Sequence, residues 1–180
     1  MAFDFKYDWF THRIPVFERC LAQFVGKKTR GLEVGTLEGR SAAWLLENIL
    51  THPESQLTCI DIEEQPNLAG NLMATGQSHK VDVKIGYSRD VLVQLSPHLF
   101  DFAYIDGSHS TCDVLEDAVL TYRRIRVGGI IGFDDYLWND PDYNEYGTPK
   151  PAIDTFLAAN AHKLEILEHD YQVWVRKLSD

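Results

Sequence analysis

Leu32 and Val34 lead directly into a turn spaced by Gly35 and Gly39. Behind the turn, Ala42, Leu45, Leu46, Ile49 and Leu50 recur at the spacing of one helical face. No other stretch limits the fold as tightly, because it reads as strand, glycine turn and amphipathic helix in that order. Glycine lets a backbone take a positive φ or approach a ligand without a Cβ in the way. The unpaired N–H groups that open the next helix then suit an anionic or polar group. α/β sheets build nucleotide sites in this manner, at the carboxyl ends of their strands.

Spacing selects among nucleotides. A dinucleotide turn follows G-x-G-x-x-G. Here the turn is Glu33-x-Gly35-x-x-x-Gly39, with an acid ahead of the first glycine. A carboxylate there repels a pyrophosphate and accepts hydrogen bonds from an ammonium; a ligand-free glycine turn is the plain alternative. In these residues the chain resembles the class I S-adenosylmethionine-dependent methyltransferases, whose first motif is E/D-x-G-x-x-x-G.

At 180 residues, 44% hydrophobic and 24% charged, the expectation is one soluble globular domain. A net charge of −10 with no basic run argues against a nucleic-acid backbone as partner and, more weakly, against anionic membrane surfaces. Cys20, Cys59 and Cys112 are scattered, which suits reduced thiols rather than zinc ligands or disulfides. Asp4 and Asp8 stand where a signal peptide would be basic and then apolar, so a cytoplasmic location is expected.

Along the chain, Phe10, Ile14, Phe17, Leu21 and Phe24 mark a helix with Pro15 near its start, making residues 1–28 a helical cover and 29–180 the core. Leu57 to Ile62 reads as a buried strand containing Asp61, one βα unit beyond Gly35. An acid there can hold two ribose hydroxyls; a loop-capping aspartate is the alternative. Leu68 to Ala74 suits a helix and Val81 to Gly86 a strand. Tyr87 and Ser88 follow, Tyr87 being either part of the site or a packed aromatic.

Phe100 to Ile105 is the next strand, with Asp106, Gly107, Ser108 and His109 in its exit loop. Ser110 and Asp113 have capping-box spacing, and Leu115, Ala118, Val119, Tyr122 and Ile125 mark the expected buried face behind them. Arg123, Arg124 and Arg126 read as a solvated helix end. Paired Gly128 and Gly129 introduce a strand that ends at Asp134 and Asp135. The polar, aromatic segment from Trp138 to Thr148 has the length of a functional loop; its Trp138, Tyr143 and Tyr146 are expected to wall an acceptor pocket. A helix with Ile153, Phe156 and Leu157 inward and a hairpin from Leu164 to Arg176 complete the chain.

Strand-then-helix units closed by a hairpin predict an α/β, Rossmann-like, doubly wound, mostly parallel sheet with an antiparallel last strand. The resemblance implies seven strands in the order 3-2-1-4-5-7-6. It extends from about Arg30 to the end and includes Ile105 to His109 and Gly128, Gly129, Gly132, Phe133, Asp134 and Asp135. It is strongest toward the small O-methyltransferases akin to macrocin and other antibiotic-sugar methyltransferases, and more distant toward catechol O-methyltransferase. Where several sugar methyltransferases have Asp-x-Asp, this chain has Asp106, Gly107 and Ser108, so the base is not fixed by the motif.

The resemblance implies methyl transfer from S-adenosylmethionine to a hydroxyl of a small acceptor. The cofactor residues it implies are Glu33, Gly35, Thr36, Gly39, Ser41, Asp61, Ile62, Ser88 and Asp106. Glu33 and Gly35 would meet the amino-acid moiety, Ser41 the carboxylate and Asp61 the ribose; the Gly86–Ser88 turn would lie along the adenine. Asp106, Asp134 and Asp135 are oxygen donors that select a hard ion, Mg²⁺ first. His109 or Asp106 would take the proton. An NAD-dependent oxidoreductase and a non-catalytic S-adenosylmethionine-binding protein are the alternatives. The expected partner is the acceptor, with no nucleic acid or membrane; a homo-oligomer and an N-methylated acceptor stay open.

Overall fold

The computed structural model describes residues 2–139 and 147–180. Seven strands form one sheet: β1 (Arg30–Val34), β2 (Gln56–Asp61), β3 (Val81–Ile85), β4 (Phe100–Ile105), β5 (Ile125–Phe133), β6 (Leu164–His169) and β7 (Val173–Lys177). Their order is β3-β2-β1-β4-β5-β7-β6, with β7 antiparallel to both neighbours and the pairs from β3 to β5 parallel. This is the expected order. Among the described residues six α-helices accompany them: α1 (Ile14–Leu21), which precedes β1, and α2 (Arg40–Asn48), α3 (Leu68–Ala74), α4 (Ser88–Leu92), α5 (Thr111–Arg124) and α6 (Lys150–Ala159).

Period-2 alternation divides the strand side chains between the two faces. Leu32, Val34, Ala103, Ile105, Ile131, Phe133, Val173 and Val175 join a core with Val114, Ala118 and Phe156 of α5 and α6. Phe102, Tyr104, Ile130 and Trp174 face the other way, against Phe17 and Leu21 of α1 and Ala42, Leu45 and Leu46 of α2. Phe17 makes edge contacts with Tyr104 and Trp174, both 4.8 Å between centroids, so α1 is fastened over the middle of the sheet.

Three local expectations are corrected. The capping box is absent: Ser110 makes no side-chain cap bond, and Ser108 Oγ instead donates to Asp113 (2.9 Å) while accepting from Ser110 N (3.1 Å). The buried face of α5 is Val114, Asp117, Ala118, Thr121 and Tyr122, and Val119 is exposed. Ile125 is outside the helix, opening β5, so a face drawn to include it comes out rotated. β5 thus starts before Gly128 and Gly129, and the β4–β5 register shifts beside them, between Phe100 and Phe102.

The expected helix through Phe10 to Phe24, with Pro15 near its start, is present as three consecutive helical segments. These are Thr11–Arg13, α1 and Ala22–Phe24, and residues 2–10 have neither helix nor strand. Among the described residues no helix is long and apolar enough to cross a membrane. Cys20 and Cys59 are buried and Cys112 is exposed, all free.

Candidate active site

One row of backbone bonds builds the site. Gly86 N donates to Asp61 O (2.8 Å), Gly35 N to Ile60 O (2.8 Å), Asp106 N to Val34 O (2.8 Å) and Asp134 N to Ile105 O (3.0 Å). Strands β3, β2, β1, β4 and β5 therefore end together, with pairing carried one residue beyond each neighbour. Asp61, Asp106 and Asp134 leave this common edge at a cleft of about 800 Å³, within the usual ~300–1,000 Å³ of small-molecule sites.

The glycine turn is tight at both ends. Gly35 has φ +86°, and a Cβ there would lie 2.0 Å from the Asp106 carbonyl oxygen. Gly39 has φ +78°, and its Cβ would lie 2.8 Å from Leu68 Cδ1. Between them Thr36 N and Leu37 N both donate to Asp61 Oδ2, at 2.9 and 2.8 Å. The carboxylate at the end of β2 thus occupies both turn amides, ahead of the N–H groups that open α2 at Arg40.

Glu33 is fully buried beneath the turn and does not line the cleft, and neither does Gly39. Its Oε2 accepts from Thr36 Oγ1 (2.5 Å) and from the Cys59 thiol (3.6 Å), and its Oε1 has no partner. Burial pushes the Glu33 carboxyl up to about 7, against the pull of hydrogen bonds from Ser41, Thr36 and Cys59. Glu33 thus acts through Thr36 and Ser41, which do line the cleft.

The opposite end gathers the remaining acids. Tyr104 Oη lies 3.1 Å from Asp106 Oδ2 and donates a short hydrogen bond to Asp134 Oδ2. Arg13 Nε is 3.8 Å from Asp134 Oδ1, with its guanidinium 3.7 Å over the Tyr171 ring. His109 Nε2 is 2.8 Å from Asp135 Oδ2, and its ring stacks on Trp138 at 4.3 Å. Asp135 has φ +57°, a left-handed conformation that aspartate tolerates better than most residues.

Protein crowding and the charges of Asp134 and Asp135 hold the Asp106 carboxyl well above the usual range. Asp106 is open to the cleft, so the repulsion is the firmer of the two causes. Asp134 is raised as well, by burial and then by Asp135. Carboxyls under such pressure hold protons or gather a cation. All-oxygen donors suit a hard divalent ion in kind. They are not drawn in around one point: among the described residues no group of three or more His, Cys, Asp or Glu has metal-holding spacing.

Gly35, Thr36, Ser41, Asp61, Ile62, Ser88, Asp106, His109, Asp134 and Asp135 all line the cleft, as does Trp138. Tyr143 and Tyr146 lie outside the described residues. Sequence reading missed Tyr7, Trp9, Arg13, Tyr104, Asp117 and Tyr171 on its walls. The N-terminal aromatics arrive there because Lys6 N donates to Glu38 Oε2 (2.8 Å) and Asp8 pairs with Arg40 (2.7 Å), laying the segment along the glycine turn. Tyr7 and Trp9 stack at 4.7 Å and stay exposed.

Residues 32–136 match the family described as "Methyltransferase domain". Caffeoyl-CoA O-methyltransferase 2 of Zea mays is 30% identical over 131 residues, which is 68% of this chain and 47% of that protein. The chain spans about half the length of the curated relatives it matches first. Among solved structures, the O-methyltransferase TomG from Streptomyces achromogenes in complex with SAM superposes with a TM-score of 0.71 at 20% identity, covering 91% of this chain and 77% of that one. MycE methyltransferase from the mycinamycin biosynthetic pathway, in complex with Mg and SAH, gives 0.68 at 16% identity, covering 96% and 51%. At these identities the superpositions speak for the fold.

Proposed function

The chain belongs to the methyltransferase-domain family, and on that premise we propose that it moves the methyl group of S-adenosylmethionine to a hydroxyl of a small acceptor. The observation that carries this reading is Asp61 accepting from both Thr36 N and Leu37 N. A pyrophosphate needs such amides free, and here they face a carboxylate. Acids outnumber arginines along the cleft. S-Adenosylmethionine, with its sulfonium and ammonium, is a net cation and suits those walls; NAD does not.

In this reading Ser41, at the start of α2, meets the methionine carboxylate, while Gly35 and Thr36 lie against the amino-acid moiety. Asp61 keeps Oδ1 for the ribose, since Oδ2 is committed to the turn. Ile62 and Ser88 flank the purine, and Trp9, Trp138 and Tyr171 wall the acceptor. The acceptor oxygen attacks the methyl carbon in line, the carbon–sulfur bond breaks, and its electron pair returns to sulfur as a neutral thioether. With His109 Nε2–H donated to Asp135, Nδ1 is the basic nitrogen that takes the acceptor proton. Asp106, Asp134 and Asp135 would hold Mg²⁺, which when bound lowers the pKa of a coordinated hydroxyl.

We also propose a cytoplasmic location, which the unpaired thiols at Cys20, Cys59 and Cys112 support. The test is turnover: the chain is incubated with S-adenosylmethionine and a panel of phenols and sugars, and S-adenosylhomocysteine is followed by mass spectrometry. Release of S-adenosylhomocysteine matched by a methylated acceptor supports the reading. Binding without turnover on any acceptor leaves a cofactor-binding protein in its place.

A further inference from the structure

We infer that Asp117 is a cofactor-binding residue, one that recognises the exocyclic amine of the purine; this rests on the proposed function. On α5, Val114, Asp117, Ala118, Thr121 and Tyr122 form the inward face, so a position suited to an apolar side chain holds a carboxyl. Asp117 is 2% exposed, and its Oδ1 has no hydrogen-bond partner. Such an atom is expensive to bury and calls for a cause. Packing supplies none, because a neutral side chain of similar size would fill the same space without that cost.

Position supplies one. Asp117 lines the cleft together with Ser88, whose hydroxyl faces it from the first turn of α4. Ser88 follows β3 at one end of the sheet edge, whereas Asp134 and His109 follow β5 and β4 further along it. The free oxygen is therefore at the purine end rather than the catalytic end. The charged groups near it are Asp113 and Glu116 on its own helix, and among the described residues no cation forms an ion pair with it. Burial raises its carboxyl to about 6, which leaves it mostly ionised and an acceptor at neutral pH.

A buried acceptor in a cleft wall selects a ligand with an N–H at that place. Adenine presents an exocyclic amine; hypoxanthine presents a carbonyl there, and its lone pairs would meet those of Asp117. A site built to bond a donor rejects an analogue that lacks it far more strongly than an apolar pocket rejects a shape.

The experiment compares S-adenosylhomocysteine with S-inosylhomocysteine, titrated by calorimetry into the wild-type chain, Asp117→Asn and Asp117→Ser. Wild type is expected to favour the adenosine compound by about 10- to 100-fold, the range of one hydrogen bond to a charged group. Both variants should bring the ratio within about threefold of one. Wild-type binding of the two compounds with equal affinity overturns the inference without any variant having to fold. An unchanged preference in folded variants overturns it as well. Failure of wild type to bind either compound removes the methyltransferase reading itself, and the inference with it.

Discussion

Glu33→Gln isolates the energetic consequence of burying a carboxyl under the glycine turn. The substitution keeps the shape and an oxygen to accept from Thr36 Oγ1, and it removes the ionisation. The Glu33 carboxyl is raised from 4.5 to about 7 in the folded chain. A raised acid stabilises the fold below its unfolded value and loses that contribution as pH climbs through the folded one. Wild type should therefore lose stability relative to Glu33→Gln between about pH 4.5 and 7. At 1.36 kcal/mol per unit, the difference reaches about 3 kcal/mol. For a chain of this size that is about 6–12 °C in melting temperature. The other raised acids, Asp106, Asp117 and Asp134, act in both proteins and largely cancel in the comparison. The assay is thermal unfolding of both chains, without cofactor, at pH steps from 4 to 8.5. Any pH-independent cost of the amide appears as a constant offset. A gap that stays constant across the range refutes the reasoning, because Glu33 would then ionise in the folded chain at its ordinary value.

Other outcomes follow from the same geometry. His109→Ala and Asp135→Asn should each lower kcat, by about 10²- to 10⁴-fold for the histidine, while S-adenosylhomocysteine affinity stays within about threefold; unchanged turnover would remove the pair from proton transfer. Activity should fall in EDTA and return with Mg²⁺, and Asp134→Asn should abolish that return; full activity in EDTA would leave His109 to act without an ion. Gly35→Ala should destabilise the chain by at least about 2 kcal/mol in denaturant unfolding, since φ +86° and the Asp106 carbonyl both oppose a Cβ. A stable Gly35→Ala chain would mean the turn can move away from β4.

The strand–turn–helix unit was legible because its signals are local: alternation in β1, two glycines forced to positive φ, and one apolar face on α2. Asp61, Asp106 and Asp134 were legible for a similar reason, since a parallel sheet brings its strand exits to one edge. What Asp61 does there was not. Its bond to the turn amides depends on how far β2 extends past β1, which no spacing states. Tyr104 alternates correctly as a core aromatic, and only the packed structure reveals its hydroxyl between Asp106 and Asp134. Arg13 carries no periodic or motif signal in the sequence, and only the packing of the N-terminal helix across the sheet brings it beside Tyr171. The N-terminal aromatics were invisible as site residues because side chains of Glu38, Asn71 and Arg40 anchor the segment, and such bonds leave no periodicity. Asp117 was hidden because a face drawn through Leu115, Val119 and Ile125 leaves it out, whereas the face that packs runs through Val114, Asp117 and Thr121.

The central claim is that the cleft above Gly35 takes S-adenosylmethionine rather than a dinucleotide, and calorimetry with S-adenosylhomocysteine and NAD tests it directly. Saturable binding of S-adenosylhomocysteine, no heat from NAD, and a loss of about 10- to 100-fold in affinity in Asp61→Ala are the predicted results. Binding of NAD with no response to S-adenosylhomocysteine would contradict the account at its base, because the turn amides would then be open to a pyrophosphate despite Asp61.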